Sequence, residues 1–174
     1  MTDARFRAPC RSLPPFAAAL GATGLLPFAA FALGAVSGID DDRAARFTSG
    51  LIAYGAVILA FLGAVQWGFV IGDGEPVATA AITRRERYRL VVGVLPALVG
   101  WGALLVQLML GWPPVAIGIL IAGFVATTAA EADLTRRGLV PRGYMLLRWA
   151  LSVVVVLLLA TVLVVRLIGA RLTF

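Results

Sequence analysis

The chain contains no histidine, no lysine and no asparagine, and a single cysteine in 174 residues. Without His there is no bis-histidine haem ligation, no His-based zinc site and no imidazole acid–base chemistry. Without Lys there is no Schiff-base nucleophile and no attachment point for retinal or pyridoxal phosphate. The one cysteine, Cys10, lies between Arg7 and Arg11. It cannot form an internal disulfide and reads as an unmodified surface thiol, with lipidation the alternative. Charge is also scarce: 14% of residues carry it, against the roughly 25% usual in soluble domains. These absences lead us to expect no metal, no cofactor and no catalytic residue.

Apolar residues take up what is missing. They make up 61% of the chain and raise its mean hydropathy to +0.97. A core of this size cannot hide so much apolar surface, because small domains leave a large fraction exposed. Lipid is therefore the solvent for most of it. Five apolar runs stand out, at approximately Leu13–Val36, Phe47–Ile71, Leu90–Leu110, Pro114–Ala130 and Met145–Val165. Each approaches the ~20 residues that cross ~30 Å of hydrocarbon as a helix. The expected fold is all-α: one polytopic domain, a bundle of five transmembrane helices over residues 13–168. A cytoplasmic arm (1–12) precedes it and a short tail (169–174) follows. Pro27 and Pro96 fall inside runs and are expected to kink them. The first run is too long for the 7–15-residue apolar region of a signal peptide, so it is expected to be retained.

All 15 basic residues are arginines. With the N-terminus inside, eleven lie on the inner side and four (Arg43, Arg46, Arg166, Arg171) on the outer, where Asp40–Asp42 add an acidic loop. This positive-inside bias places the N-terminus in the cytoplasm and the C-terminus outside. The net charge of +6 is split into short blocks beside apolar runs, which argues for membrane orientation and against nucleic acid. The block Arg84, Arg85, Arg87 and Arg89 suits anionic lipid headgroups.

Polar side chains within the runs are few, and such groups are costly in lipid. Threaded through five spans, Gln66, Trp67, Glu131, Asp133, Tyr144 and Arg148 fall at one membrane depth, on the inner side. Arg148, one turn inside the fifth run, needs an acidic partner or water, and Glu131 is nearest by depth. One reading makes Gln66, Trp67, Glu131, Tyr144 and Arg148 a ligand-binding pocket. The other has Arg148 snorkelling to headgroups, Trp67 and Trp149 in an interfacial belt and Glu131 in water. Small residues form stripes as well: Ala56, Ala60, Ala64 and Gly68 every four residues, Gly93 and Gly100 seven apart, with Gln107 a further seven on. Such stripes let helices pack closely, inside the bundle or against a second copy. No phosphate-binding loop is present, since Gly72–Glu75 lacks the Lys and the strand–helix context.

Several segments resemble a bacterial family, domain of unknown function 3429. Leu20-Gly21-Ala22-Thr23-Gly24-Leu25-Leu26-Pro27-Phe28 is similar to its LG-x-x-GL-x-PF opening. The run from Tyr54 to Gly68, YGAVILAFLGAVQWG, resembles its most distinctive block, approximately YGAVILSFLGGVHWG. Leu95–Leu98, Ala122–Phe124 and Pro141, Tyr144, Leu147 and Arg148 are similar to later elements in the right order. The resemblance spans roughly residues 15–165 and implies a small polytopic inner-membrane protein related to a mitochondrial transmembrane protein of animals, without an assigned activity. Gln66 departs from it, standing where the family carries His. An amide neither titrates nor ligates metal well, but it keeps a hydrogen bond.

The expectation is thus a non-enzymatic protein of the bacterial inner (cytoplasmic) membrane, an accessory or assembly component of a larger complex. The alternative is a small transporter or a lipid- or quinone-like-ligand-binding protein. A membrane enzyme would have to work through Glu131 or Asp133.

Overall fold

Lipid offers no hydrogen bonds to a backbone, so each apolar run closes its own amides as a helix. The computed structural model describes residues 15–37, 41–72, 84–136 and 142–172, and side chains at 19–37, 41–68, 90–133 and 145–169. Among the described residues, six helices follow one another: α1 (Pro15–Thr23), α2 (Leu25–Val36), α3 (Asp41–Gly72), α4 (Arg84–Leu105), α5 (Pro113–Arg136) and α6 (Arg142–Leu172). A π-helical turn, Val106–Leu110, extends α4. Among the described residues, five helical spans are long and apolar enough to cross a membrane, with α1 and α2 sharing the first.

Local chemistry sets the breaks. Pro27 cannot donate to the Thr23 carbonyl, and its ring would crowd that carbonyl in an unbroken helix. The chain therefore divides at Thr23–Gly24, leaving Pro27 as the third residue of α2. The expected kink at Pro27 is thus a break just before it, closed by the Tyr54 hydroxyl, which donates to the Gly24 carbonyl at 3.0 Å. By contrast, α4 continues as helix through Pro96. Asp41 and Asp42, expected in a loop, instead form the first turn of α3, where carboxylates complement the positive end of the helix dipole. Between the third and fourth spans the chain turns at Gly111, whose φ of 64° is a left-handed conformation that glycine adopts without Cβ strain. Pro113 and Pro114 then open α5, where missing N–H groups cost least.

The spans form a closed ring in chain order: α2 on α3, α3 on α4, α4 on α5, α5 on α6, and α6 back on α2. An additional α3–α5 contact crosses the middle. Between these helices lies a dry core that includes Phe28, Leu51, Ile52, Leu59, Ile117, Leu120 and Phe124. Phe28 stands edge-on to Tyr54 and Phe124, with centroids at 5.0 and 6.1 Å, an arrangement that favours aromatic quadrupoles.

The α3–α4 seam is the closest approach. A Cβ built at Gly63 would strike the Gly93 carbonyl oxygen, and one at Gly100 would lie 2.8 Å from the Ala56 carbonyl oxygen. The helices thus meet through Ala56 and Gly63 on one side and Gly100 and Gly93 on the other. The four-residue stripe expected on α3 does not follow this seam: Ala60 is half-buried, Ala64 and Gly68 are exposed, and nothing lies within 4 Å of a Cβ at Gly68.

This seam generates a mutational contrast. Gly63→Ala is expected to cost about 1–3 kcal/mol by overpacking against backbone that cannot rotate away. Gly118→Ala, where a Cβ meets nothing within 4 Å, is expected to be neutral or slightly stabilising through helix propensity. Thermal unfolding of the two purified variants in one detergent checks both outcomes.

Candidate functional site

Polar side chains gather at both ends of the bundle, and the larger cluster joins the end of α3, the end of α5 and the start of α6. Gln66, Glu131 and Arg148 are each buried, at 1%, 1% and 5% exposure. Arg148 Nε donates to Glu131 Oε2 at 2.8 Å. Gln66 Nε2 donates to Glu131 Oε1 at 3.4 Å, so the carboxylate receives at least one donor on each oxygen. Helix polarity explains the convergence. α3 and α5 run in one direction and α6 in the other, so late residues of the first two meet an early residue of the third.

The network reaches further along α6 and α5. Arg148 NH1 donates to Ser152 Oγ at 2.7 Å, four residues on and therefore on the same helix face. Ser152 Oγ lies 3.0 Å from Thr128 Oγ1, which is itself 2.8 Å from the Phe124 carbonyl. The Thr128 proton serves only one of these acceptors. With that proton on the Phe124 carbonyl, the Ser152 hydroxyl supplies its own to Thr128, and each hydroxyl is satisfied. Thr127, also buried, donates to the Gly123 carbonyl at 2.8 Å.

Among the described residues, two buried atoms of the cluster have no hydrogen-bond partner: Arg148 NH2 and Gln66 Oε1. Flipping the Gln66 amide would set its oxygen against Glu131 Oε1, so the carboxylate fixes the amide orientation and leaves Oε1 open. Unsatisfied buried groups carry a desolvation cost of about 1–3 kcal/mol each, and more when charged. Arg148 and Ser152 also line a cavity of about 250 Å³ between α1–α2, α3 and α6. Its other walls are apolar, among them Leu25, Phe28, Phe124, Leu151 and Val155.

Trp67 stands apart from the expected pocket. The Trp67 ring packs over Gly93 on α4 and is 43% exposed. Tyr144 falls in the first turn of α6, but its side chain lies outside the described residues. So do the side chains of Arg84, Arg85, Arg87 and Arg89, while Cys10 lies wholly outside them. Asp133 separates from Glu131 and lines, with Trp149 and Thr128, a groove of about 510 Å³ between α5 and α6. Ser152 is the participant that sequence reasoning missed; its position four residues after Arg148 was the available signal.

A second polar cluster occupies the opposite end. Gln107, carried in the π-helical turn, donates to Ser49 Oγ at 3.1 Å. Arg166 NH2 donates to Thr48 Oγ1 at 2.9 Å. Arg166 is thus partly buried against α3 as well as near the membrane end. Leu51, Ile52 and Leu59, each fully buried, separate the two clusters along α3.

Comparison with known proteins gives a consistent frame. A family model described as Protein of unknown function (DUF3429) matches residues 13–164. "Transmembrane protein 69" of Xenopus tropicalis is 34% identical over 95 residues, covering 55% of this chain and 34% of that protein. The protein of the same name from Mus musculus is 35% identical over 82 residues, covering 47% and 30%. The matched region thus spans about a third of these curated relatives. No solved structure matches.

The buried ion pair makes a coupling prediction. Glu131→Leu or Arg148→Met alone strands a buried charge and is expected to cost about 3–5 kcal/mol. The double variant is expected to cost at least ~1 kcal/mol less than the sum. Denaturation of all four proteins in one detergent measures this, and additive losses would show the pair uncoupled.

Proposed function

We propose a function from this premise: the chain belongs to the family Protein of unknown function (DUF3429) and is a multi-pass membrane protein. It is non-enzymatic and binds a lipid-soluble molecule, whose polar head rests on Arg148 and whose body fills the neighbouring cavity. The carrying observation is that Arg148 NH2, a buried donor without a partner, belongs to a side chain on the wall of an otherwise apolar cavity. Binding sites of this type are largely apolar with few convergent polar groups. A purely structural ion pair would gain by pairing every guanidinium nitrogen, and this one leaves NH2 buried without a partner. Binding is favoured over transport by the dry layer of Leu51, Ile52 and Leu59 between the two polar ends, which offers a polar solute no foothold.

A second reading, an accessory component of a larger membrane complex, is favoured by one feature. Ala64 and Gly68 lie four apart and exposed at the end of α3, and small residues so spaced accept a partner helix. We further propose the bacterial inner membrane as the location, with the N-terminus inside, on the strength of eleven inner arginines against four. The Arg148 site then faces the cytoplasmic leaflet, and the arginines from 84 to 89 meet anionic headgroups there.

Native mass spectrometry after extraction in mild detergent tests the binding role. The wild type should retain a small lipid-soluble adduct. Arg148→Met should lose it, and so should Gly21→Leu, which fills the cavity without touching the ion pair. A wild type that carries only bulk bilayer lipid would overturn the reading, and a co-purifying membrane protein would favour the accessory role. Reporter fusions check orientation: one at the C-terminus should be active on the outer side and one between α3 and α4 on the inner side.

A further inference from the structure

We infer that the groove between α5 and α6 is a separate ligand site, which holds one phospholipid whose head carries a primary ammonium, as in phosphatidylethanolamine. The groove shares Phe124 and Ser152 with the Arg148 cavity but lies between different helices, and its occupation does not depend on a ligand there. Its volume of about 510 Å³ is within the ~300–1,000 Å³ of sites that enclose a drug-sized molecule. The Arg148–Glu131 and Ser152–Thr128 contacts fix the antiparallel register of the two helices. In that register Asp133 and Trp149 form one end of the groove, and Phe124, Val156 and Leu157 the other. Asp133 is the last residue of its span, so this end lies at headgroup level and the rest in hydrocarbon. From Asp133 to Phe124 α5 rises about 13 Å, close to one leaflet of a ~30 Å hydrocarbon core. A groove that is polar at the surface, apolar below and one leaflet deep has the layout of a lipid with its chain inserted.

The walls are accessible: Val125, Ala129, Trp149, Val153 and Leu157 all line the groove and all are exposed. A chain therefore enters from the bilayer with no movement of the bundle. Ala129 and Ala132, with only methyl side chains, leave the hollow beside the Trp149 indole. Deeper in, the Thr128 and Ser152 hydroxyls are engaged within the bundle, so the head is recognised at Asp133 and Trp149. A carboxylate only accepts, and a primary ammonium offers three donors. Asp133 already engages another group. Its two oxygens have about four acceptor sites, so an ammonium adds to that contact without replacing it. The indole attracts the same cation through its ring face. Phosphate finds positive charge at the same level, where Arg136 ends α5 and Arg142 opens α6. A head of both signs thus suits this end of the groove. An anionic glycerol head would set negative charge beside Asp133 with no ammonium between them. A quaternary ammonium keeps the attraction of the ring but has no N–H for the carboxylate.

Lipid competition on the full chain tests this. The protein is placed in nanodiscs of phosphatidylethanolamine, phosphatidylcholine and phosphatidylglycerol in equal amounts with identical acyl chains, and retained lipid is identified by native mass spectrometry. The wild type should retain phosphatidylethanolamine over phosphatidylglycerol by roughly tenfold or more, and over phosphatidylcholine by roughly threefold. Asp133→Asn should level the three heads while lipid is still retained. Ala129→Phe, which fills the groove from an exposed position, should lose the lipid. Gly21→Leu, which fills the Arg148 cavity instead, should leave the preference intact; its loss there would place the lipid in that cavity and overturn the groove site. Wild-type retention in proportion to the mixture, or of phosphatidylglycerol first, would overturn recognition of the ammonium head. A wild type that retains no lipid, or carries a second protein in its place, would overturn the site itself. The wild-type comparison needs no variant, so a variant that failed to fold would leave the decision intact.

Discussion

The Glu131–Arg148 ion pair is the constraint around which one end of the bundle is arranged. An arginine within a membrane span costs about 3 kcal/mol on insertion scales and more in isolation, so it survives only where a partner meets it. Glu131 supplies that partner from α5, and Gln66 from α3 takes the second carboxylate oxygen. Three helices are thereby tied together at one depth by charge-assisted contacts that no lipid tail can replace. The Gln66 amide makes this contact with Glu131 while adding no titratable group.

Elsewhere the fold relies on shape. Ala56–Gly100 and Gly63–Gly93 bring α3 and α4 to backbone contact, and between helices in lipid such packing stands in for the hydrophobic effect. Phe28, wedged against Tyr54 and Phe124, joins the first span to α3 and α5. The Tyr54 hydroxyl closes the helix break ahead of Pro27. The polar clusters sit at opposite ends and the apolar layer between them stays closed.

How much of this was legible in the sequence depends on which periodicity carried it. The five spans were readable because hydropathy over about 20 residues needs no knowledge of packing. The convergence of Gln66, Glu131 and Arg148 was readable from depth alone, since antiparallel spans return polar residues to the same level. Rotation about the helix axis was not readable. A four-residue repeat drifts by about 40° per step on a 3.6-residue helix, so the stripe from Ala56 to Gly68 turns about 120° away from its starting face. A seven-residue repeat drifts by only about 20°, which is why Ala56 and Gly63 match Gly100 and Gly93. The same rotation carries Trp67, one residue past Gln66, onto α4. Ser152 escaped notice because a hydroxyl in a valine-rich run reads as incidental until its neighbour four residues back is known to be a buried arginine.

The most direct measurement is the distance between the Glu131 carboxyl carbon and the Arg148 guanidinium nitrogens, by solid-state NMR on isotope-labelled protein in lipid bilayers. The account predicts a contact from Glu131 to Arg148 Nε, alongside an NH2 nitrogen that lacks any protein acceptor. An Arg148 guanidinium with no carboxyl carbon in range, exchanging freely with water at the headgroups, would contradict it.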